Sequence, residues 1–177
     1  AASGAVYSFG WGEDGQLGHG DGNNQLTPKV IETLRSVRVC AVAAGDAYSL
    51  ALGAGGEVYS FGYGSSGQLG HGNAASQYTP QVIKALKGVK VRAVAAGWAH
   101  SLVVNSAGEA YSFGVSDCGR LGHGGNQDQL TPKVIEVLAG VRVHAVAGGD
   151  DHSLVLSEDG VVYSFGLGGC GMLGHGD

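Results

Sequence analysis

Three features of this chain predict an all-β protein built of repeated four-stranded antiparallel units. First, the sequence returns to itself every 52 residues with no insertion or deletion: Val6-Tyr7-Ser8-Phe9-Gly10 recurs at Val58–Gly62, Ala110–Gly114 and Val162–Gly166. Second, short runs within each copy alternate with period two, the spacing of strands. Third, glycine and proline fall at the same repeat positions, where turns and sheet edges need them. A fixed period in this range marks a repeat architecture. The 177 residues hold about 3.4 copies, and residues 1–21 and 157–177 are at the same phase.

The elements of one copy follow in order. Val37, Val39, Ala41 and Ala43 alternate with Arg38, Cys40, Val42 and Ala44, which gives a strand whose residues shrink toward a crowded end. Gly45, Gly97 and Gly149 are expected to allow a tight turn after it. A second strand spans Tyr48 to Leu52, with counterparts His100 to Val104 and His152 to Leu156. Gly56, Gly108 and Gly160 close the next turns, and Asp159-Gly160 is a strong hairpin signal. The Val-Tyr-Ser-Phe segment is the third strand, with its Tyr and Phe on one face. The fourth starts at Thr27-Pro28-Lys29-Val30-Ile31; its proline, repeated at Pro80 and Pro132, suits an outermost edge. A helical turn around Val30 to Leu34 is a weaker alternative there.

Four hairpin-joined antiparallel strands make the blade of a β-propeller, and a 52-residue unit is too long for one coil of a parallel solenoid. The expected organisation is a single partial β-propeller domain over residues 1–177, with repeats at 1–52, 53–104 and 105–156 and a partial repeat at 157–177. The start at Ala1 without methionine reads as a piece of a longer array.

Composition narrows the function. Apolar content is 44%, and runs such as Val39 to Ala44 are far too short to span a bilayer. Net charge is −5 with no basic run, which argues against direct nucleic-acid binding and leaves no membrane role. Three cysteines, Cys40, Cys118 and Cys170, are sparse and odd in number. They read as free thiols of a reducing, intracellular compartment, cytoplasmic or nuclear.

The residues also resemble a known family. Gly15-Gln16-Leu17-Gly18-His19-Gly20, Thr27-Pro28-Lys29-Val30-Ile31, Val42-Ala43-Ala44-Gly45 with Ser49-Leu50, and Val58-Tyr59-Ser60-Phe61-Gly62 are similar to the repeat of the regulator of chromosome condensation family. The match covers the whole chain. The resemblance implies a seven-bladed propeller in which each repeat feeds strands to adjoining blades. Members include the exchange factor for the Ran GTPase, a plant ultraviolet-B photoreceptor, and repeat modules of HECT-type ubiquitin ligases and kinases. This chain has about half the repeats that a full ring needs.

Several motifs suggest chemistry that their setting denies. Gly10 to Gly15, Gly62 to Gly67 and Gly166 to Gly171 match a dinucleotide fingerprint, but glycine-rich Gln16-Leu17-Gly18-His19-Gly20 follows where a helix is required. His19, His71, His123 and His175 recur one blade apart, too far for joint metal ligation, and read as structural. His152 and Ser153 are strand neighbours facing opposite ways, so they cannot form a nucleophile–base pair. Cys118 and Cys170 sit in equivalent loops of adjacent blades, beyond disulfide reach. No catalytic residue, metal site or cofactor is expected.

What differs between copies is more informative. After the conserved-phase glycines the chain reads Asp46-Ala47-Tyr48, Trp98-Ala99-His100 and Asp150-Asp151-His152; after the Phe-Gly pair it reads Trp11, Tyr63 or Val115. Loops on a rigid scaffold carry binding. The candidate partner-binding set is Asp46, Tyr48, Trp98, His100, Asp150, Asp151, His152 and Trp11. The expected function is a non-enzymatic protein–protein interaction scaffold whose partner is a protein with a basic surface. The alternative is a guanine-nucleotide exchange factor, or a fragment of one, for a small GTPase; no copy carries the inserted β-wedge that the Ran exchange factor uses. A light sensor ranks last, since Gly97-Trp98-Ala99-His100-Ser101 is the one near match to the photoreceptor's tryptophan segments. Self-association is also expected, most simply a two-fold dimer closing a six- or seven-bladed ring.

Overall fold

A computed structural model describes residues 4–176. The strands run β1 Tyr7–Gly10, β2 Gln25–Val30, β3 Val39–Ala44, β4 Tyr48–Gly53, β5 Val58–Gly62, β6 Gln77–Val82, β7 Val91–Ala96, β8 His100–Asn105, β9 Ala110–Gly114, β10 Gln129–Val134, β11 Val143–Gly148, β12 His152–Ser157 and β13 Val162–Gly166. They form two complete antiparallel blades, β3-β4-β5-β6 and β7-β8-β9-β10, flanked by the pair β1-β2 and the three-stranded sheet β11-β12-β13. The sheets do not close a ring, so the molecule is a partial β-propeller. β3, β7 and β11 are the innermost strands and touch one another in sequence order. The proline-bearing strands β2, β6 and β10 are the outer edges, where a missing N–H costs no ladder bond.

Among the described residues helical structure is limited to 3₁₀ turns. Those at Glu32–Leu34, Lys84–Leu86 and Glu136–Leu138 follow the outer strands and plug Leu34, Leu86 and Leu138 inward. The weaker expectation of a helical turn near Val30 to Leu34 thus corresponds to a single short turn after β2.

The apolar core lies between blades rather than within them. Leu52, Val58, Ile83 and Leu86 of one blade meet Val91, Val103 and Phe113 of the next. Ala95, Leu102, Val104, Ala110, Ile135 and Leu138 meet Val143 and Val155 of the next sheet across the following boundary. Burial of each large side chain stabilises the stack by roughly 1.5–3 kcal/mol. Tyr111 packs with Phe113 in the same cluster, as expected for residues two apart on one strand face.

The repeated Leu-Gly-His-Gly segment fastens each blade to the next. A Cβ on Gly18 would stand 2.9 Å from the Phe61 ring, and one on Gly70 2.9 Å from Phe113. Ser8 Oγ donates to the Leu17 carbonyl at 2.6 Å and lies 2.9 Å from His19 Nε2. Ser60 with His71, Ser112 with His123 and Ser164 with His175 repeat the arrangement. The serine proton is committed to the carbonyl, so Nε2–H of each histidine donates to the serine oxygen. Burial holds His19, His71 and His123 below the usual histidine pKa, consistent with neutral structural rings.

The tight turns expected at Gly45, Gly97 and Gly149 are present, with their N–H groups donating to the carbonyls of Tyr48, His100 and His152 at 2.9, 2.8 and 2.9 Å, but the reason for glycine differs. Gly45, Gly97 and Gly149 are not in the left-handed region that would demand glycine for a turn. Glycine is needed because of close approach: a Cβ on Gly45 would collide with the Tyr48 ring and stand 2.7 Å from the Gly97 carbonyl. His100 and His152 cover Gly97 and Gly149 in the same way.

Candidate partner-binding face

Strand alternation decides which loops share a face. Each innermost strand runs toward the loop that begins at Gly45, Gly97 or Gly149, and the third strand of the blade ends beside it. The Tyr63 N–H donates to the Ala47 carbonyl, Val115 to Ala99 and Leu167 to Asp151, each at 2.9 Å. The Trp98 N–H donates to the Gly149 carbonyl of the next blade at 3.3 Å. The loops carrying Asp46, Trp98 and Asp150-Asp151 therefore follow one another around a single face. Trp11, at the Tyr63 position of the first copy, ends on that face as well.

The structure divides the eight candidate residues. Trp98 is 50% exposed and Trp11 58%. Asp46 and Asp150 are exposed too, with no ion pair among the described residues. Trp11 and Asp46 line a shared cleft of about 370 Å³ between β1 and β3.

Tyr48 and His100 do not belong on the surface. Both are buried, and both tie one blade to the next. The Tyr48 hydroxyl donates to the His100 carbonyl and lies 3.0 Å from Ser101 Oγ. His100 Nε2 lies 2.9 Å from Ser153 Oγ. Ser153 Oγ in turn donates to the Arg120 carbonyl at 2.8 Å, as Ser49 and Ser101 do to Gln16 and Gln68. The Ser153 proton is thus used, and His100 Nε2 carries its own. Burial, then Arg120 and His152, push the His100 pKa down to about 4. His152 is half-buried at the same position, its Nδ1 enclosed without a partner. The structure thus gives Ser153 a histidine neighbour from the adjacent blade, and both residues are fully buried. Among the described residues no three His, Cys, Asp or Glu side chains converge as metal ligands.

Arg120 is a residue that sequence reasoning missed. It is 3% exposed at the position of Gln16 and Gln68. Its guanidinium donates to the Asp117 carbonyl at 3.0 Å and the Asp150 carbonyl at 3.2 Å, and pairs with Asp151 at 2.8 Å. It fixes the third loop from below and neutralises Asp151, leaving the Asp150 carboxylate as that loop's free charge. The signal in the sequence was the replacement of a glutamine by arginine at a fixed repeat phase.

The same replacement reshapes the adjoining turn. Gln16 and Gln68 each accept the N–H of the residue two before, Asp14 and Ser66, at 3.0 Å. Where Arg120 and Met172 stand instead, Cys118 and Cys170 take up φ of 58° and 60°. Both thiols, and that of Cys40, are free and exposed.

Models of the regulator of chromosome condensation repeat match residues 3–52, 55–104 and 107–156, and a second model of the same repeat matches 39–68, 91–120 and 143–171. The chain belongs to the RCC1-repeat family. Similar RCC1-repeat chains include the ultraviolet-B receptor UVR8 of Arabidopsis thaliana, 42% identical over 97% of this chain and 39% of the receptor. The human E3 ubiquitin-protein ligase HERC2 is 44% identical over 99% of this chain and 4% of the ligase. Human WBSCR16 superposes with a TM-score of 0.89 at 30% identity, over 99% of this chain and 46% of that one. Prp20p of Saccharomyces cerevisiae, described with its binding properties to Gsp1p and histones, gives 0.82 at 27% identity, over 98% and 44%. The chain spans less than half the length of each of these relatives.

Proposed function

We propose that this chain is a non-enzymatic protein-interaction module that takes a basic segment of a partner on the face formed by Asp46, Trp98 and Asp150. The observation that carries this is an exposed tryptophan flanked on neighbouring blades by two carboxylates, Asp46 and Asp150, that have no ion pair among the described residues. A guanidinium stacks on an indole face and pairs with carboxylates beside it. An aromatic anchor of this kind is the commonest binding hot spot. Tyr48 and His100 serve the scaffold, while Asp151 and Trp11 border the site.

Fluorescence anisotropy with a short, labelled Arg/Lys-rich peptide tests the proposal. Asp46→Asn with Asp150→Asn should weaken binding several-fold and flatten its salt dependence. Equal affinity for the double variant would remove this face from consideration.

A second reading is a role in guanine-nucleotide exchange, supported by the likeness to Prp20p and the Gsp1p binding described for it. A nucleotide-release assay with small GTPases separates the two. Self-association belongs to the same proposal: among the described residues β1 pairs only with β2 and β13 only with β12, and Tyr7, Phe9 and Val42 are exposed. Open edges and apolar faces are covered in stable assemblies. Light scattering at micromolar concentration reads it directly. An intracellular setting fits three exposed free thiols.

A further inference from the structure

At the other end of the strands, the turn after β4 and the 3₁₀ turn after β6 enclose a pocket of about 380 Å³. Its floor is Val58, Ile83 and Leu86, all buried, with half-buried Val89 at the side. Lys84, Lys87 and Lys90 stand exposed around its rim. One carboxylate, Glu57, also borders it, but that side chain folds back over its own turn, where its oxygens would stand 2.5–3.1 Å from a Cβ placed on Gly55 or Gly53.

Comparison between copies shows that the fold does not require this rim. The same pocket recurs in the next blade at about 290 Å³, with Glu136, Ala139 and Arg142 in place of the lysines. The first copy has Glu32, Arg35 and Arg38 there. In each of those copies a glutamate replaces the first lysine and one rim arginine is paired, Arg35 with Glu32 at 2.7 Å and Arg142 with Glu158 at 3.1 Å, which leaves Arg38 as the single rim cation of the first copy without an ion pair among the described residues. Lys84, Lys87 and Lys90 have no ion pair among the described residues. Three unneutralised ammonium groups around an apolar floor favour a ligand that is both anionic and aliphatic.

We infer that this pocket docks an acidic peptide segment of a partner protein, with an aliphatic side chain seated on Val58, Ile83 and Leu86 and flanking carboxylates on Lys84, Lys87 and Lys90. The face of Trp98 carries the opposite charge and lies at the opposite ends of the same strands. The disc thus joins an acidic partner segment on one side to a basic one on the other.

The test is fluorescence anisotropy with a labelled peptide of alternating Glu and Leu, beside a Glu/Ser version. Wild type should bind the Glu/Leu peptide at least about tenfold more tightly than the Glu/Ser one. Lys84→Glu with Lys87→Glu and Lys90→Glu should lose at least about tenfold, while Arg35→Glu with Arg142→Glu binds as wild type. These side chains are exposed, so melting temperatures should hold; if the triple reversal melts early, Lys84→Gln and Lys87→Gln replace it and should still weaken binding. Saturation with the Glu/Leu peptide should leave binding of an Arg/Lys-rich peptide unchanged. No measurable binding, equal affinity for both acidic peptides, or equal loss in the Arg35/Arg142 control would each overturn the assignment. Loss of Arg/Lys-peptide binding alone would count against the Trp98 face and leave this pocket standing.

Discussion

The Tyr48 hydroxyl reaches across a blade boundary to the backbone carbonyl of His100, the residue that occupies the same position one repeat later. His100 reaches onward to Ser153 in the same manner. A phenol and an imidazole thus do one job: each covers a glycine of its own blade and ties that blade to the next. Tyr48→Phe should cost about 1 kcal/mol, because the His100 carbonyl keeps the Gly97 N–H at 2.8 Å. Tyr48→Ala should cost ~3–5 kcal/mol by opening a cavity. Tyr48→His, the repeat's own alternative, should cost less than Tyr48→Ala. Denaturant midpoints of the three variants check the order.

His100 makes stability depend on acid. Its pKa is about 4 in the folded chain against 6.5 for an ordinary histidine. The unfolded chain therefore binds the extra proton first as pH falls. Stability is fully present above about pH 6.5 and declines between there and about pH 4, by an amount on the order of 3 kcal/mol from this group. His100→Tyr should flatten that decline, since tyrosine fills the equivalent site in the preceding blade. Urea unfolding across this pH range, wild type beside variant, gives the slope.

Cys118 sits at φ 58° without the glutamine that holds Asp14 and Ser66 in negative φ. The left-handed conformation costs an L-residue roughly 1–2 kcal/mol, and glycine's extra freedom when unfolded returns about half of that. Cys118→Gly should therefore stabilise by up to ~1 kcal/mol, whereas Asp14→Gly should not stabilise at all. Thermal melts under reducing conditions separate the two.

The period, the strand order and the edge prolines were all legible in the sequence, because each is a local pattern repeated in register. The requirement at Gly45 was legible but its cause was not: nothing local says that the Tyr48 ring folds back over its own turn. Tyr48 and His100 were misplaced for a related reason. Variation between copies reads as surface freedom, yet here two different rings satisfy one buried contact made by a blade 52 residues away. The unvarying Ser49, Ser101 and Ser153 beside them were the better guide. Trp98 has no such partner: aspartate holds its position in the other two copies, and its side chain stands in solvent.

Trp98→Ala, measured for partner binding and for melting side by side with wild type, bears most directly on the binding face. Binding of an Arg/Lys-rich peptide should weaken by about 2 kcal/mol while the melting temperature stays close to that of wild type. Unchanged binding together with a collapsed melting temperature would make Trp98 a scaffold residue and contradict the proposed face.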